Sequence, residues 1–379
     1  MENLLKGTIK INIKYIIGRI IKNQNVPEKT KYIQVLDNDN IDQFEKGYKA
    51  YIFTSENSLI QNLNNYCIIS DVNSLCNYDV VEIVKDKYIR SLYRDESDDN
   101  FILVTNQCNS NCIMCPDADS NRNTKDVPDI QVLIDHIRAI PNDAQHLTIT
   151  GGEPGLLKDN LIRIIGECKL NLPNTEFLLL SNGRVFSNTE FVNKFCAVAP
   201  TNIRVGIPIY ADTAELHDEI TRVKESFIQA ACGIRKLLNR KIDVEIRIVV
   251  QKKNYKILDK IAKFISEEFP DITMVNIMSL EMCGNAMVNK KDVWVDYDKT
   301  KEFVYKACYE LVKHGIFVNL YNFPLCALDE RVYAFAVKSI SDYKVRYREE
   351  CNLCVLKNEC GGLFNTTIGL KEAKIKPIK

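Results

Sequence analysis

The sequence predicts an α/β fold: a partial (βα)6 TIM-like barrel, a small strand-rich N-terminal domain before it, and a loop-rich C-terminal cysteine region after it. Three observations carry this reading. From residue 101 to 313, apolar stretches of strand length alternate with longer stretches of helical spacing. Before residue 97 only short alternating runs occur, and after 314 the regular pattern stops while cysteines gather. Strand–helix units in series build a parallel sheet with helices outside it.

Taken in order, the N-terminal domain (1–97) holds short runs at Thr8–Ile17, Lys31–Leu36, Ala50–Thr54 and Cys67–Ser70. Val80–Val84 and Tyr88–Leu92 flank Lys85-Asp86-Lys87 and read as a hairpin. Asp95–Asn100 is polar and marks a boundary. The barrel (98–313) has candidate strands Phe101–Thr105, His146–Thr150, Glu176–Ser181, Asn202–Ile209, Asp243–Val250 and Thr273–Met278. Helical spacing fills Asp129–Ala139, Lys158–Cys168, Thr189–Cys196, Ser226–Leu238, Tyr255–Glu268 and Asp298–Lys313. In such folds ligands gather at the carboxyl ends of the strands. The last region (314–379) has one more strand candidate, Ile316–Tyr321, and a Lys-rich tail, Lys371–Lys379, expected to be mobile.

Composition narrows the function. Lys plus Arg equals Asp plus Glu, 50 each. A neutral chain has no electrostatic pull toward nucleic acid or an anionic membrane. No apolar run reaches the roughly 18 residues of a membrane span. The opening residues lack the apolar core of a signal peptide, so a cytoplasmic setting is expected. Fourteen cysteines in a chain with 46% hydrophobic residues suit metal ligation better than a disulfide framework. Seven of them (Cys67, Cys76, Cys168, Cys196, Cys232, Cys283, Cys308) lie scattered and read as plain core or surface residues.

Cys108, Cys112 and Cys115 form C-x3-C-x2-C just after the first barrel strand. Three thiolates from one loop reach three corners of an iron–sulfur cube and leave the fourth iron open to a small chelating molecule. S-adenosylmethionine (SAM) can chelate through its amine and carboxylate, and one electron then breaks its sulfonium C–S bond. Zinc needs a fourth ligand. A haem-attachment motif fails at Pro116, and a thioredoxin-like motif uses two cysteines. This arrangement resembles the radical SAM superfamily over about 101–313. Met114 stands where that family usually has an aromatic residue, against the adenine, and is soft and apolar enough to serve.

Gly151-Gly152-Glu153-Pro154 follows the second strand. Glycines permit close backbone approach, and a carboxylate accepts from an amine. The stretch resembles the family's GGE motif, which implies binding of SAM's methionyl amine. Ser181 and Asn182, ending the third strand, are candidates for SAM's polar groups. Ile203–Tyr210 is a candidate pocket wall. Arg247 either binds the SAM carboxylate or pairs with Glu245. His217-Asp218 reads as a solvated loop after the fourth strand, and Trp294 as packing. No catalytic acid or base is assigned.

Cys326, Cys351, Cys354 and Cys360 make a closed set of four thiolates, which suits zinc or a second [4Fe–4S] cluster. C-x2-C-x5-C resembles the SPASM auxiliary-cluster domain. Phe364 stands where its next cysteine is expected, which resembles the reduced twitch form and implies an iron–sulfur cluster. Leu92–Arg94, Thr105–Pro116, Thr150–Pro154, Leu180–Arg184, Val244–Arg247, Glu281–Ala286, Tyr321–Cys326 and Ser339-Ile-Ser-Asp342 together resemble the C-type radical SAM maturase of the His-Xaa-Ser system. That resemblance implies a ribosomally made precursor peptide as substrate and a partner maturase with its own SPASM domain. A flavodoxin- or ferredoxin-type reductant is expected, and the N-terminal domain is a candidate for recruiting a leader segment. The competing readings are a radical SAM enzyme acting on a small molecule and a non-catalytic iron–sulfur carrier.

Overall fold

The computed structural model describes residues 4–117, 122–124, 128–338 and 345–379. Of the stretches quoted above, Ser339–Asp342 lies outside them. The described chain divides into two compact units. One comprises residues 1–102, 128–148 and 163–176; the other comprises 103–127, 149–162 and 177–379.

The first unit is built on an eight-stranded sheet. Its strands are β1 (Leu4–Leu5), β2 (Thr8–Lys10), β3 (Tyr15–Ile21), β4 (Tyr32–Leu36), β5 (Ala50–Phe53), β6 (Tyr66–Ile68), β7 (Val80–Val84) and β8 (Tyr88–Tyr93). The order is β1-β8-β7-β3-β4-β5-β6-β2. The expected hairpin is β7–β8, turned at Asp86 with φ 56°. Only Lys6 and Gly7 separate β1 from β2, yet these two strands pair with opposite ends of the sheet. One continuous segment therefore covers both edges, which removes the long free edge that sheets otherwise expose. Isoleucines and valines fill one core of this unit, among them Ile16, Ile20, Ile33, Ile52, Val81 and Ile83. Helix α1 (Ile130–Ala139) joins the same unit. There Tyr15 donates to Asp135 (2.8 Å), and Arg19 donates to the carbonyls of Ala139 and Ile140.

The second unit holds the carboxyl ends of β9 (Phe101–Thr105) and β10 (His146–Gly151), then β11 (Glu176–Leu180), β12 (Ile203–Pro208), β13 (Asp243–Val249), β14 (Met274–Met278), β15 (Phe317–Tyr321) and the short β16 (Ala336–Val337). They run in sequence order across one sheet, and the pairs from β11 to β16 are parallel. All six predicted barrel strands form. The candidate Ile316–Tyr321 is a seventh strand, and β16, too short to read from sequence, is an eighth. Helices α2 (Asp159–Asn171), α3 (Thr189–Val198), α4 (Ala214–Thr221), α5 (Ser226–Asn239), α6 (Leu258–Glu268) and α7 (Tyr297–Lys313) follow successive strands. Helix α6 shows why they form: Leu258, Ile261, Ala262 and Ile265 recur at one-turn spacing and are all buried. Burying each large aliphatic side chain contributes about 1.5–3 kcal/mol.

Two expectations are corrected. His217 and Asp218 are not in a solvated loop; they lie on α4, and His217 is buried. The segment Ala214–Thr221 is too short and too charged to show a clear period. The Lys-rich tail is not loose. Ala373 is fully buried, the Val355 amide donates to the Ile378 carbonyl, and Arg348 donates to the carbonyls of Ile368, Leu370 and Ala373. Its lysines alternate with apolar residues that pack.

Candidate cofactor site

The loop from Cys108 to Cys115 leaves β9 and has almost no regular structure, so its backbone groups need partners elsewhere. The Asn111 and Ile113 amides donate to the carbonyls of Thr221 and Ile220 (3.1 and 2.9 Å). Arg122 donates to the Ser110 carbonyl (2.6 Å). Arg184, just past β11, donates to the Asn109 carbonyl (2.9 Å), and Asn182 reaches the Asn109 side chain (2.7 Å).

The short helix Gly284–Val288, after β14, grips the far side of the loop. The Asn285 amide donates to the Cys115 carbonyl (2.9 Å), and its side chain donates to Asn111 Oδ1 (2.9 Å) and the Cys112 carbonyl (3.1 Å). Asn289 donates to the Ile113 carbonyl (2.9 Å). Gly284 has φ 52°, and a Cβ there would sit 2.2 Å from the Pro116 carbonyl oxygen. Only glycine meets both demands. Gly284 and Asn285 were quoted above only within a family stretch, and Asn289 not at all. Their bracing role had no local signal, because their partners lie some 170 positions away.

Gly151 and Gly152 press on the start of the same loop. A Cβ would fall 2.3 Å from the Thr105 carbonyl oxygen at Gly151 and 2.3 Å from that of Gln107 at Gly152. The Gly152 and Glu153 amides donate to those same carbonyls (2.8 and 2.7 Å). Glu153 is buried, and its carboxylate accepts from Ser181 Oγ (2.8 Å), the Asn182 amide (2.6 Å) and the Gly155 amide (2.7 Å). Burial raises its pKa, and these bonds oppose that rise. Its side chain thus fixes the Ser181-Asn182 turn. Pro154 opens the turn Pro154–Leu157, whose first two residues are buried.

One cavity of about 300 Å³ gathers most of the candidates. Its lining includes Cys108, Cys112, Cys115, Met114, Gly151, Gly152, Ser181, Asn182 and Arg247. Glu153 and Pro154 are outside that lining. Arg247 faces the cavity, and it makes the expected pair with Glu245: Nη1 lies 3.0 Å from that carboxylate, while Nη2 meets Met278 Sδ (3.3 Å). Gly206, Pro208 and Tyr210, from the stretch read as a pocket wall, also line it.

Among the described residues, no three His, Cys, Asp or Glu side chains converge closely enough to hold a single metal ion. A cubane puts its irons at separate corners, so its three thiolates surround a space instead of meeting at a point. All fourteen cysteines are free. Burial pushes the Cys108 thiol up to about 11 and Cys112 to about 12, and raises Cys115. The donor set, three thiols around an open cavity floored by glycine backbone, fits a cluster with one open corner.

Cys326, Cys351, Cys354 and Cys360 also come together, lining a second, small cavity with Pro324, Leu325 and Ile375. The Leu325 and Gly362 amides each donate to Cys360 Sγ (3.3 Å). Burial raises the Cys326 thiol pKa. Of the seven scattered cysteines none lines either cavity, and Cys67, Cys168 and Cys308 are buried. Trp294 packs edge-on against Tyr297.

Residues 102–265 match the profile of the Radical SAM superfamily. This chain carries a radical SAM domain. The match takes in the three loop cysteines, the glycine pair, Ser181, Asn182 and Arg247. Such a domain implies a [4Fe–4S] cluster and SAM. An uncharacterized protein of Methanocaldococcus jannaschii is 30% identical over 170 residues, 43% of this chain and 57% of that protein. The chain thus matches little more than half the length of that relative. SuiB of Streptococcus suis, bound to its precursor peptide SuiA, overlays 58% of this chain and 47% of its own, with 13% identity and a TM-score of 0.47. The anSMEcpe protein with bound AdoMet overlays 48% and 49%, with 16% identity and a TM-score of 0.40. These two are likenesses of outline. Among the described residues, no helix is long and apolar enough to cross a membrane.

Proposed function

We propose that this chain is a peptide-modifying radical SAM enzyme whose substrate is a ribosomally made precursor of the His-Xaa-Ser repeat type. One observation carries the radical SAM part: the cysteine loop, the glycine pair, the Ser181-Asn182 turn and Arg247 surround a single cavity at the carboxyl ends of the strands. When bound, the cluster would supply the electron that breaks the sulfonium C–S bond of SAM and yields a 5′-deoxyadenosyl radical for hydrogen abstraction.

The chain's own residues prepare that event. Cys108, Cys112 and Cys115 hold three irons. Gly151 and Gly152 bring backbone up to the loop with no side chain in the way. Ser181 and Asn182, held by the Glu153 carboxylate, present polar groups to SAM. Arg247, with Nη1 paired to Glu245, offers its remaining N–H donors to the SAM carboxylate. Met114 and Tyr210 provide apolar wall and limit water. Cys326, Cys351, Cys354 and Cys360 hold an auxiliary [4Fe–4S] cluster.

The peptide part rests on the sequence resemblance. A partner maturase and a flavodoxin- or ferredoxin-type reductant belong to the same proposal. Leader recruitment by the N-terminal domain would use a sheet face, because a ninth strand would have to displace β1 or β2. The test is anaerobic incubation of the reconstituted chain with SAM and dithionite, with and without a His-Xaa-Ser precursor peptide. Formation of 5′-deoxyadenosine with a mass change on the peptide supports both parts. 5′-Deoxyadenosine with an unchanged peptide keeps the chemistry and removes the substrate; neither product removes both.

A further inference from the structure

His217 lines the same cavity as the three loop cysteines, yet it has no place in the scheme above. It is 2% exposed. Its ring lies between two aromatic rings, stacked on Tyr210 (5.4 Å between centroids, 28° between planes) and tilted against Phe227 (5.4 Å). Nδ1 accepts a hydrogen bond from the Tyr210 amide (3.2 Å). An imidazole nitrogen that accepts from an N–H carries no proton, so in the neutral ring the proton sits on Nε2. Burial favours that neutral ring, holding its pKa at about 4. Nε2–H has no partner among the described residues, and it is not sealed inside the protein. A polar N–H on a buried ring costs free energy unless something accepts from it.

The surroundings define what would accept. Tyr210, Met114, Val249 and Met278 give the cavity an apolar wall, and His217 contributes a neutral donor within it. The charged amine and carboxylate of SAM call for charged partners or iron. The neutral acceptors of SAM are the adenine ring nitrogens and the ribose oxygens of its nucleoside half. We propose that His217 donates a hydrogen bond from Nε2 to a neutral acceptor on the nucleoside half of SAM. This rests on the radical SAM reading of the cavity and adds a binding residue to it.

Two substitutions separate this role from simple packing. In His217→Asn the amide oxygen replaces Nδ1 and keeps the bond from the Tyr210 amide, but nothing replaces Nε2. In His217→Gln the amide nitrogen reaches the Nε2 position and restores the donor. The measurement is equilibrium dialysis of radiolabelled SAM against the anaerobically reconstituted full chain, with binding expressed per iron-loaded chain. The expected result is that H217Q binds within about twofold of the unaltered chain, while H217N binds about tenfold more weakly, the loss of one neutral hydrogen bond. SAM affinity in H217N equal to the unaltered chain, or weaker in H217Q than in H217N, overturns the proposal and leaves the radical SAM reading standing. An unaltered, iron-loaded chain that binds no SAM removes that reading and this proposal together.

Discussion

The two cysteine sites are built in opposite ways. The first places three thiols on one short loop and ties that loop down from the segments that follow β10, β11, β12 and β14. The second collects four thiols from three separate segments, in a region of two-residue strands and 3-10 turns. Its order comes from a few bonds, chiefly those of Arg348 to the tail and of two amides to Cys360. Hydrogen bonds from several surrounding segments thus fix the shape of the first loop. A site assembled from distant, weakly structured segments leans on its metal for folding energy. The first site is therefore shaped by the chain's own bonds, and the second, under the proposed auxiliary cluster, would depend more on its metal.

The strongest way to break this comparison is to remove each ligand set in turn. Cys108/Cys112/Cys115→Ala reduces SAM cleavage to background while circular dichroism and melting temperature stay close to those of the unaltered chain. Unfolding of this variant would show that the first site also needs its metal. A second effect of similar size lies in pH. Burial keeps the loop thiols protonated at neutral pH, and cluster loading requires thiolates, so initial iron uptake at the first site rises between pH 7 and 9 by about tenfold per pH unit for each thiol proton lost before the rate-limiting step. The linked stability has the opposite sign. Raised thiol pKa values favour the apo fold below about pH 9, and that contribution is lost as pH climbs toward 11. Stopped-flow iron uptake in a Cys326/Cys351/Cys354/Cys360→Ala background isolates the first site.

A smaller effect is expected at the second site. Cys360→Ala loses the second metal and opens residues 345–379 to limited proteolysis, while uncoupled SAM cleavage stays within about threefold. Protease resistance without metal would make the second site self-supporting. The smallest effect sharpens the first half of the comparison. Asn285→Ala deletes two side-chain bonds to the loop and lowers the unfolding free energy of the metal-free chain by about 1–3 kcal/mol, read by urea denaturation. No change would mean that the loop is held by its other partners alone.

Much of this was legible in the sequence because it is local. Strands such as Asp243–Val249 and helices such as Leu258–Glu268 declare themselves by their period, and C-x3-C-x2-C declares a ligand loop by spacing. What stayed hidden depends on partners far along the chain. Nothing in Gly284-Asn285 announces that its partners are Cys112 and Cys115. Glu153 read as a ligand contact, and nothing local announced that its carboxylate also accepts from Ser181 and the Asn182 amide. His217 read as a loop residue because its helix is only two turns long and its burial comes from Tyr210 and Phe227. The tail read as mobile because lysine count hid the apolar residues between them.

The central claim is that Cys108, Cys112 and Cys115 hold a [4Fe–4S] cluster beside a second, separate metal site. Iron and sulfide per chain after anaerobic reconstitution, measured with the Cys108/Cys112/Cys115→Ala variant alongside, test it most directly. The account predicts about eight irons and about eight sulfides in the unaltered chain, falling to about four of each in the variant. Iron that does not fall in the variant, or no iron in either chain, would contradict it.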